Sequence, residues 1–337
     1  MSSQTISLSV LDLCPIPQGS TPGQALNNAL ALAQHVETLG YKRYWVAEHH
    51  NMTGIASAAT SVVIGYLAGG TGTLRIGSGG IMLPNHAPLQ IAEQFGTLES
   101  LYPGRIDLGL GRAPGTDQAT AQALRHGRGD GSDFPQMLDE LRRLFATPQP
   151  GQRLRAVPGA GLNVPIWLLG SSTFSAQLAG QLGLPFAFAG QFSPDYLHAA
   201  LSTYREHFQS SADLQQPHVM LGINAYVAES RDQAHFLASS HQQAFLNLIR
   251  GTPGPMPPPV EDMSGLWLPH EKHQVMSTLA GTLIGDQQAV TEQLADLVER
   301  TGANELIVSS SIYDQAARRD SYSRLMQAAA SIPVGRS

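Results

Sequence analysis

Eight short apolar runs, each followed by a segment with helical periodicity, constrain the fold of this 337-residue chain more than any other feature. The runs are rich in β-branched and aromatic residues and lie at 6–13, 44–48, 74–83, 105–111, 165–170, 185–189, 219–227 and 305–309. Helical patterns lie between them, for example at 23–39, 57–68, 89–101 and 175–182, and Gly40, Gly183 and Gly302 are placed to end helices. Such alternation needs parallel strands joined by crossover helices, which is the α/β class. Eight units predict a single closed (β/α)8 TIM barrel over residues 1–337 rather than an open sheet.

Two proline-rich segments interrupt this rhythm, at 148–161 and at about 250–270. Proline at that density cannot continue a helix or a central strand, so both segments are predicted to be insertion loops. Each is either a surface excursion or, if it lies at the barrel mouth, a lid, since long loops in compact domains are often functional. The sequence leaves both interpretations open.

The composition narrows the class of protein. Hydrophobic residues make up 42% of the chain and charged residues 14%, which suits a large buried core. The net charge of -6 shows no basic footprint, so no nucleic-acid partner is expected. Cys14 is the single cysteine, which excludes an intrachain disulfide and a cysteine metal cage. With no signal-peptide pattern and no apolar stretch near the roughly 20 residues that span a bilayer, we expect a cytoplasmic protein without a membrane partner.

The second run ends in a Glu48-His49-His50-Asn51 cluster. Active sites of such barrels lie at the carboxyl ends of the strands, so this cluster is a candidate site. Adjacent strand residues point to opposite faces, so that, if the strand continues, at most one of the two histidines faces the barrel axis. A general acid/base role is favoured over a metal site because no spaced motif supplies a third ligand, although His86 and His126 remain possible. The plain structural alternative is that both histidines only hydrogen bond to loop carbonyls.

Three further strand ends carry unusual residues. Gly79 and Gly80 lie inside the third run, where either a flat ring system approaching the backbone or a β-bulge explains glycine. Arg112 ends the fourth run and is suited to a phosphate, or to an ordinary salt bridge. The fifth run ends in Gly170-Ser171-Ser172 before a helix, which is typical of an anion site or of simple N-capping. Together, the last two favour a phosphorylated cofactor.

These blocks, in this order, resemble the bacterial luciferase-like family of flavin-dependent monooxygenases from about residue 11 to residue 311. The most specific are 44–54, 76–84, 102–114 and 165–190. The family fold is a (β/α)8 barrel, and its usual cofactor is reduced FMN supplied by a separate NAD(P)H:flavin reductase, although some branches use F420. The resemblance implies oxidation of an aldehyde, an alkane or a related small substrate with O2. A homodimer, formed through helices near the second and third strands, is also a family expectation.

The resemblance assigns roles by position. His49 matches the histidine implicated in handling the flavin peroxide and the substrate. Gly79-Gly80 matches the segment, often with a non-prolyl cis peptide, that lies against the flavin ring. Arg112 and Ser171 match phosphate contacts, which extends the predicted cofactor site to Gly170 and Ser172. His50, Met82 and Phe188 are predicted to line the substrate pocket.

The chain also departs from the luciferase α-subunit pattern. Gly170 replaces a glutamate, Gly111 replaces a reactive cysteine, and a second phosphate-binding arginine has no firm counterpart, although Arg125 and Arg128 lie nearby. Light emission is therefore not predicted. The alternatives are an F420- or NAD(P)H-dependent oxidoreductase on the same barrel, a non-catalytic flavin-binding protein, and a flavin-free metal hydrolase.

Overall fold

Eight parallel strands close into a barrel in the computed structural model, which describes residues 5–125 and 131–335. The described residues form nine strands, of which all but β8 belong to the barrel. They are β1 Ser7–Asp12, β2 Arg43–Val46, β3 Arg75–Met82, β4 Ile106–Gly111, β5 Ile166–Gly170, β6 Phe186–Phe188, β7 Val219–Val227, β8 Leu283–Gly285 and β9 Glu305–Ser309. In the barrel, each of β1 to β6 pairs with the next strand in sequence. β7 then pairs with β9, and β9 closes the barrel on β1. The predicted TIM barrel is confirmed, with all eight predicted strands in it.

Helices surround the barrel and connect its strands. They are α1 Pro22–Thr38, α2 Thr60–Gly69, α3 Pro88–Leu101, α4 Gln118–Arg125, α5 Phe134–Phe145, α6 Thr173–Leu182, α7 Leu197–Glu206, α8 Arg231–Ile249, α9 Pro269–Thr278, α10 Gln287–Thr301 and α11 Gln315–Ala329. Gly183 and Gly302 adopt the left-handed conformation directly after α6 and α10, as predicted for helix stops. No helix in the described ranges is both long and apolar enough to cross a membrane.

One strand was not predicted. Residues 219–224 of β7 belong to the barrel, whereas Ala225–Val227 pair with the three residues of β8. β8 lies outside the barrel and returns the chain from the excursion that contains α8 and α9 to α10.

Alternate strand residues form two separate apolar cores. Side chains that point inward fill the barrel, and those that point outward pack against the helices. The inner set comprises Leu11, Trp45, Ala47, Trp167, Ala187, Met220 and Ile307. The outer set contains their strand neighbours, such as Val46, Leu168 and Phe186, together with helix residues. Because side chains alternate along a strand with a period of two, each strand residue points either into the barrel or towards the helices that surround it.

A buried ionic network closes the amino-terminal end of the barrel. Arg43 donates to Asp107 Oδ2 at 2.7 Å and to Glu305 Oε1 at 2.8 Å, and both carboxylates are fully buried. Arg75 adds a 2.5 Å contact with Asp107. Because these residues begin β2, β3, β4 and β9, the network ties together strands that are distant in sequence.

The two predicted insertion loops are present. The first, 148–161, lies between α5 and β5. The second, residues 250–268 between α8 and α9, is hereafter the strap. Met256 of the strap donates its N–H to the Ile16 carbonyl at 2.8 Å and accepts from the Gln18 N–H at 2.8 Å. Since Ile16 and Gln18 follow β1, the strap is fastened to the carboxyl-terminal end of the barrel.

Candidate active site at the carboxyl ends of the strands

His49 follows β2, three residues beyond its end at Val46, and its side chain lies near the Gly115 backbone. Trp45 and Ala47, which precede it, belong to the inner core. Burial lowers the pKa of His49, while a hydrogen bond with the Gly115 backbone and the charge of Glu48 oppose the change. The ring is therefore mainly neutral at pH 7 and able both to donate and to accept a proton.

Glu48 joins the ends of β2 and β3. Its buried carboxylate accepts from the Met82 N–H at 3.1 Å, from His50 Nε2 at 2.8 Å and from His86 Nε2 at 2.9 Å. Burial by itself would raise the pKa of this carboxyl, but the hydrogen bonds from His50 and His86 outweigh it and lower the pKa to about 2. Glu48 is therefore ionised throughout the physiological range.

β2 ends at Val46, so the strand does not continue through the two histidines, and their separation to opposite faces stays a prediction. His50 lies with Glu48 and His86, and its predicted place in the substrate pocket stays a prediction. His86 follows β3 in a short 3-10 turn, 38 positions from Glu48. His126, the other possible ligand, lies outside the described residues.

The glycines of β3 are explained in part by packing. The pairing of β3 with β4 shifts register between Ser78 and Ile81, so the β-bulge that the sequence left open is present. A Cβ on Gly79 would lie 2.5 Å from Leu11 Cδ1, and one on Gly80 would lie 2.8 Å from the Gly109 carbonyl oxygen. The Gly79–Gly80 peptide bond is cis, as the family resemblance implies.

Met82 lies at the carboxyl end of β3, beside two glycines of the following segment. Its side chain contacts the positions where a Cβ on Gly111 or Gly115 would lie, at 2.9 and 3.1 Å. The predicted pocket role of Met82 is compatible with this place at the barrel mouth.

Arg112 and the start of α6 meet across the ends of β4 and β5. The Arg112 guanidinium lies over the Phe174 ring, 4.4 Å from its centre. Ser172 is the N-cap of α6, and its side chain makes no capping hydrogen bond. The simple N-capping alternative is therefore absent, and the first N–H groups of α6 keep their capacity for an acceptor.

Two predicted site residues have packing roles instead. Gly170 lies against the first turn of α6, where an added Cβ would be 2.5 Å from Ser175 Cβ. Phe188 is fully buried in the outer core near Phe186, whereas Ala187 faces the barrel interior. Phe188 therefore lies on the helix-facing side of β6, and its predicted place in the substrate pocket is corrected.

A closed parallel barrel with a histidine cluster and an arginine beside a helix N-terminus, all at the carboxyl ends of strands, defines a TIM barrel with its candidate active site in the usual position. The model of the luciferase-like monooxygenase family matches residues 7–305. The chain belongs to this family.

Relatives align over nearly the whole chain. A luciferase-like monooxygenase of Escherichia coli K12 is 54% identical over 327 residues, covering 97% of this chain and 98% of the relative. The N-acetyl-S-alkylcysteine monooxygenase of Bacillus subtilis is 31% identical over 330 residues, covering 96% and 98%.

Solved structures share the fold. Apo-MsnO8 superposes with a TM-score of 0.85 at 32% identity, covering 97% of this chain and 99% of that one. The oxygenating constituent of 3,6-diketocamphane monooxygenase from Pseudomonas putida, solved with FMN, gives 0.74 at 15% identity and covers 99% and 100%. An F420-dependent secondary alcohol dehydrogenase, solved with an F420–acetone adduct, gives 0.65 at 16% identity and covers 97% and 99%. The last two likenesses establish the fold alone.

Proposed function

We propose that this protein is an FMN-dependent monooxygenase that oxidises a small organic substrate with O2, using reduced FMN delivered by a separate NAD(P)H:flavin reductase. The observation that carries the proposal is the meeting of Arg112 with the N-terminus of α6. Family membership supports monooxygenase chemistry, and this meeting supports a phosphorylated cofactor.

The residues fit a flavin phosphate. A helix N-terminus presents free N–H groups and a partial positive charge, and an arginine beside it adds a planar set of donors. The hydroxyls of Ser171 and Ser172 lie at the same helix start, and Ser172 is free of a capping bond. Gly79 and Gly80 would contact the ring system through their backbone, because neither residue has a side chain that would hold the ring away. Gly170 serves this site indirectly, because its missing side chain lets α6 pack closely on β5.

Reduced FMN, when bound, supplies the electrons that activate O2. The contribution of this chain is to orient, to exclude water and to move a proton. His49 would act at the barrel mouth, where its neutral ring can exchange a proton with the substrate or the cofactor. Met82 and the strap lie at the same end of the barrel and limit access of water, which reactive oxygen chemistry requires.

An F420-dependent oxidoreductase is the second candidate, because a protein of the same fold was solved with an F420 adduct. Both cofactors carry a phosphate, so Arg112 and α6 do not distinguish between them. The distinction lies in oxygen use, since monooxygenation consumes O2 and the transfer of a hydride does not.

The test is anaerobic titration of the purified protein with FMN, reduced FMN and F420, followed by addition of oxygen and a panel of substrates. The panel contains alkanals, alkanes and thioethers, among them N-acetyl-S-alkylcysteines, the type of compound after which one relative is named. Preferred binding of reduced FMN, with O2 consumed in step with product, is expected. Preference for F420 without O2 consumption selects the second candidate, and absence of flavin binding overturns both.

His49→Ala tests the proton-transfer role separately. We expect FMN binding to remain and substrate oxidation to fall by about 10²–10⁴-fold, the usual contribution of a positioned acid or base. Unchanged oxidation with intact FMN binding would remove His49 from the mechanism.

A further inference from the structure

Glu48, His50 and His86 bring three metal-ligating atoms to one place. One carboxylate oxygen and the two imidazole Nε2 atoms lie within 4.8 Å of one another. One glutamate and two histidines form a ligand set that binds zinc and other divalent transition metals. The ligands come from the segments that follow two adjacent strands, β2 and β3.

The separations are close to those of a metal centre. His50 Nε2 lies 2.8 Å and His86 Nε2 lies 2.9 Å from the same oxygen, Oε1 of Glu48. Ligands about 2.0–2.1 Å from a tetrahedral ion are roughly 3.4 Å apart, so an increase of about half an ångström in these N–O separations would make room for an ion. The other oxygen, Oε2, accepts from the Met82 N–H at 3.1 Å, an outer hydrogen bond of the kind that orients a ligating carboxylate.

The cluster also has access to solvent. His86 forms part of the wall of a cavity of about 290 Å³, whose lining includes the carboxylates of Asp133 and Glu140. The side chains of His50 and His86 are 17% and 25% exposed, whereas that of Glu48 is 1% exposed. Two acidic groups beside a partly exposed histidine favour the entry of a cation.

We propose that Glu48, His50 and His86 form a binding site for a divalent transition metal ion of the Zn²⁺ type. In the metal-free protein, the same atoms hydrogen bond to one another. On binding, each imidazole turns an unprotonated Nε2 to the ion and carries its proton on Nδ1, and the ion replaces the N–H bonds to Glu48. His49, which lies between two of the ligands in sequence, is not a member of this cluster.

The experiment uses the full chain, stripped with a chelator and titrated with Co²⁺, followed by competition with Zn²⁺. Co²⁺ reports its own coordination through visible absorption, and the measurement involves neither flavin nor activity. We expect one equivalent to bind saturably and Zn²⁺ to displace it. The variants His50→Ala and His86→Ala, each checked for folding by circular dichroism, should lose this binding, and His49→Ala should retain it as the matched control.

The inference is overturned if the wild-type protein binds no Co²⁺ saturably, or if binding survives in both His50→Ala and His86→Ala. A second measurement covers variants that fail to fold. Anomalous diffraction from crystals of the wild-type protein soaked in Zn²⁺ should place the ion between these three residues, and an ion elsewhere or none overturns the inference. Because no flavin is present, failure here leaves the proposed function untouched.

Discussion

The guanidinium of Arg112, at the end of β4, lies 4.4 Å from the centre of the Phe174 ring in the first turn of α6. The ring fixes the direction of the arginine, because a cation over an aromatic face is held by the charge distribution of the ring. An anion at the start of α6 would therefore meet a guanidinium already in position.

Arg112→Ala is expected to weaken FMN binding by about 10–100-fold, since a hydrogen bond to a charged group contributes about 1.5–3 kcal/mol. Riboflavin lacks the phosphate, so its affinity should not change. Titration calorimetry with both flavins measures the difference. Arg153→Ala, at an exposed position of the first insertion loop, is the control variant. Equal losses for FMN and riboflavin would place Arg112 at another part of the cofactor.

Glu305→Gln is expected to lower the free energy of unfolding by about 3–5 kcal/mol at pH 7, because it leaves the buried Arg43 guanidinium without one of its two carboxylate partners. Burial raises the pKa of Glu305, but His218, Arg43 and Lys42 outweigh it and lower the pKa to about 2. The folded pKa is below the unfolded value of about 4.3, so the stabilisation is present above pH 4 and is lost as the pH falls towards 2.

Chemical denaturation at a series of pH values tests this sign. The difference between wild type and Glu305→Gln should shrink as the pH falls from 5 to about 2. Asp296→Asn, in an exposed pair with Arg300 on α10, should change stability by less than about 1 kcal/mol at every pH. A difference for Glu305→Gln that is independent of pH would contradict an ionic origin.

Gly54→Ala is expected to detach the strap. An added Cβ would lie 2.1 Å from the Gly254 carbonyl oxygen, which is backbone and cannot move without shifting the strap. Overpacking of this kind costs about 1–3 kcal/mol, and faster proteolytic cleavage within 250–268 should result. Gly23→Ala has no atom within 4 Å of the new Cβ and should leave the cleavage rate unchanged. Equal rates for both variants would show that the strap does not depend on this contact.

Val62→Asp combined with Leu101→Glu is expected to convert a homodimer to a monomer. Val62 on α2 is 70% exposed and Leu101 at the end of α3 is 63% exposed, and Tyr66 lies one turn from Val62. Val62 lies near the start of α2 and Leu101 at the end of α3, so the two substitutions test both ends of this helix pair. Sedimentation velocity measures the change, with Leu154→Glu in the first insertion loop as the control. A wild-type protein that is already monomeric would refute the dimer.

The barrel could be predicted because its pattern is repeated eight times, and the glycines that end α6 and α10 mark where strands resume. β8 could not be predicted, because three residues are too few to show the alternation of apolar and polar side chains that marks a strand. Its position depends on pairing with the end of β7, which has no local sequence signal.

The site was predictable in part. The polar cluster could be located because it directly follows an apolar strand, whereas the directions of its side chains could not be predicted, because β2 ends at Val46. The pocket position predicted for Phe188 is on the other side of β6 from the one it occupies. The residues of β6 are apolar on both sides, and a strand buried on both faces has no polar alternation to show which side chains point inward. The contact of His86 with Glu48 spans 38 positions and is produced by the alignment of two strand ends, so only the fold reveals it.

The pairing of β1 with β9 has a consequence during synthesis. Ser9 bonds to Glu305 across 296 residues, so the edge of the first strand stays open until nearly the whole chain has left the ribosome. At about 5–20 residues per second, that interval is roughly 15–60 s. An unpaired strand edge exposed for this time invites association with other chains. The nascent protein is therefore most open to such association before its closing strand has been translated.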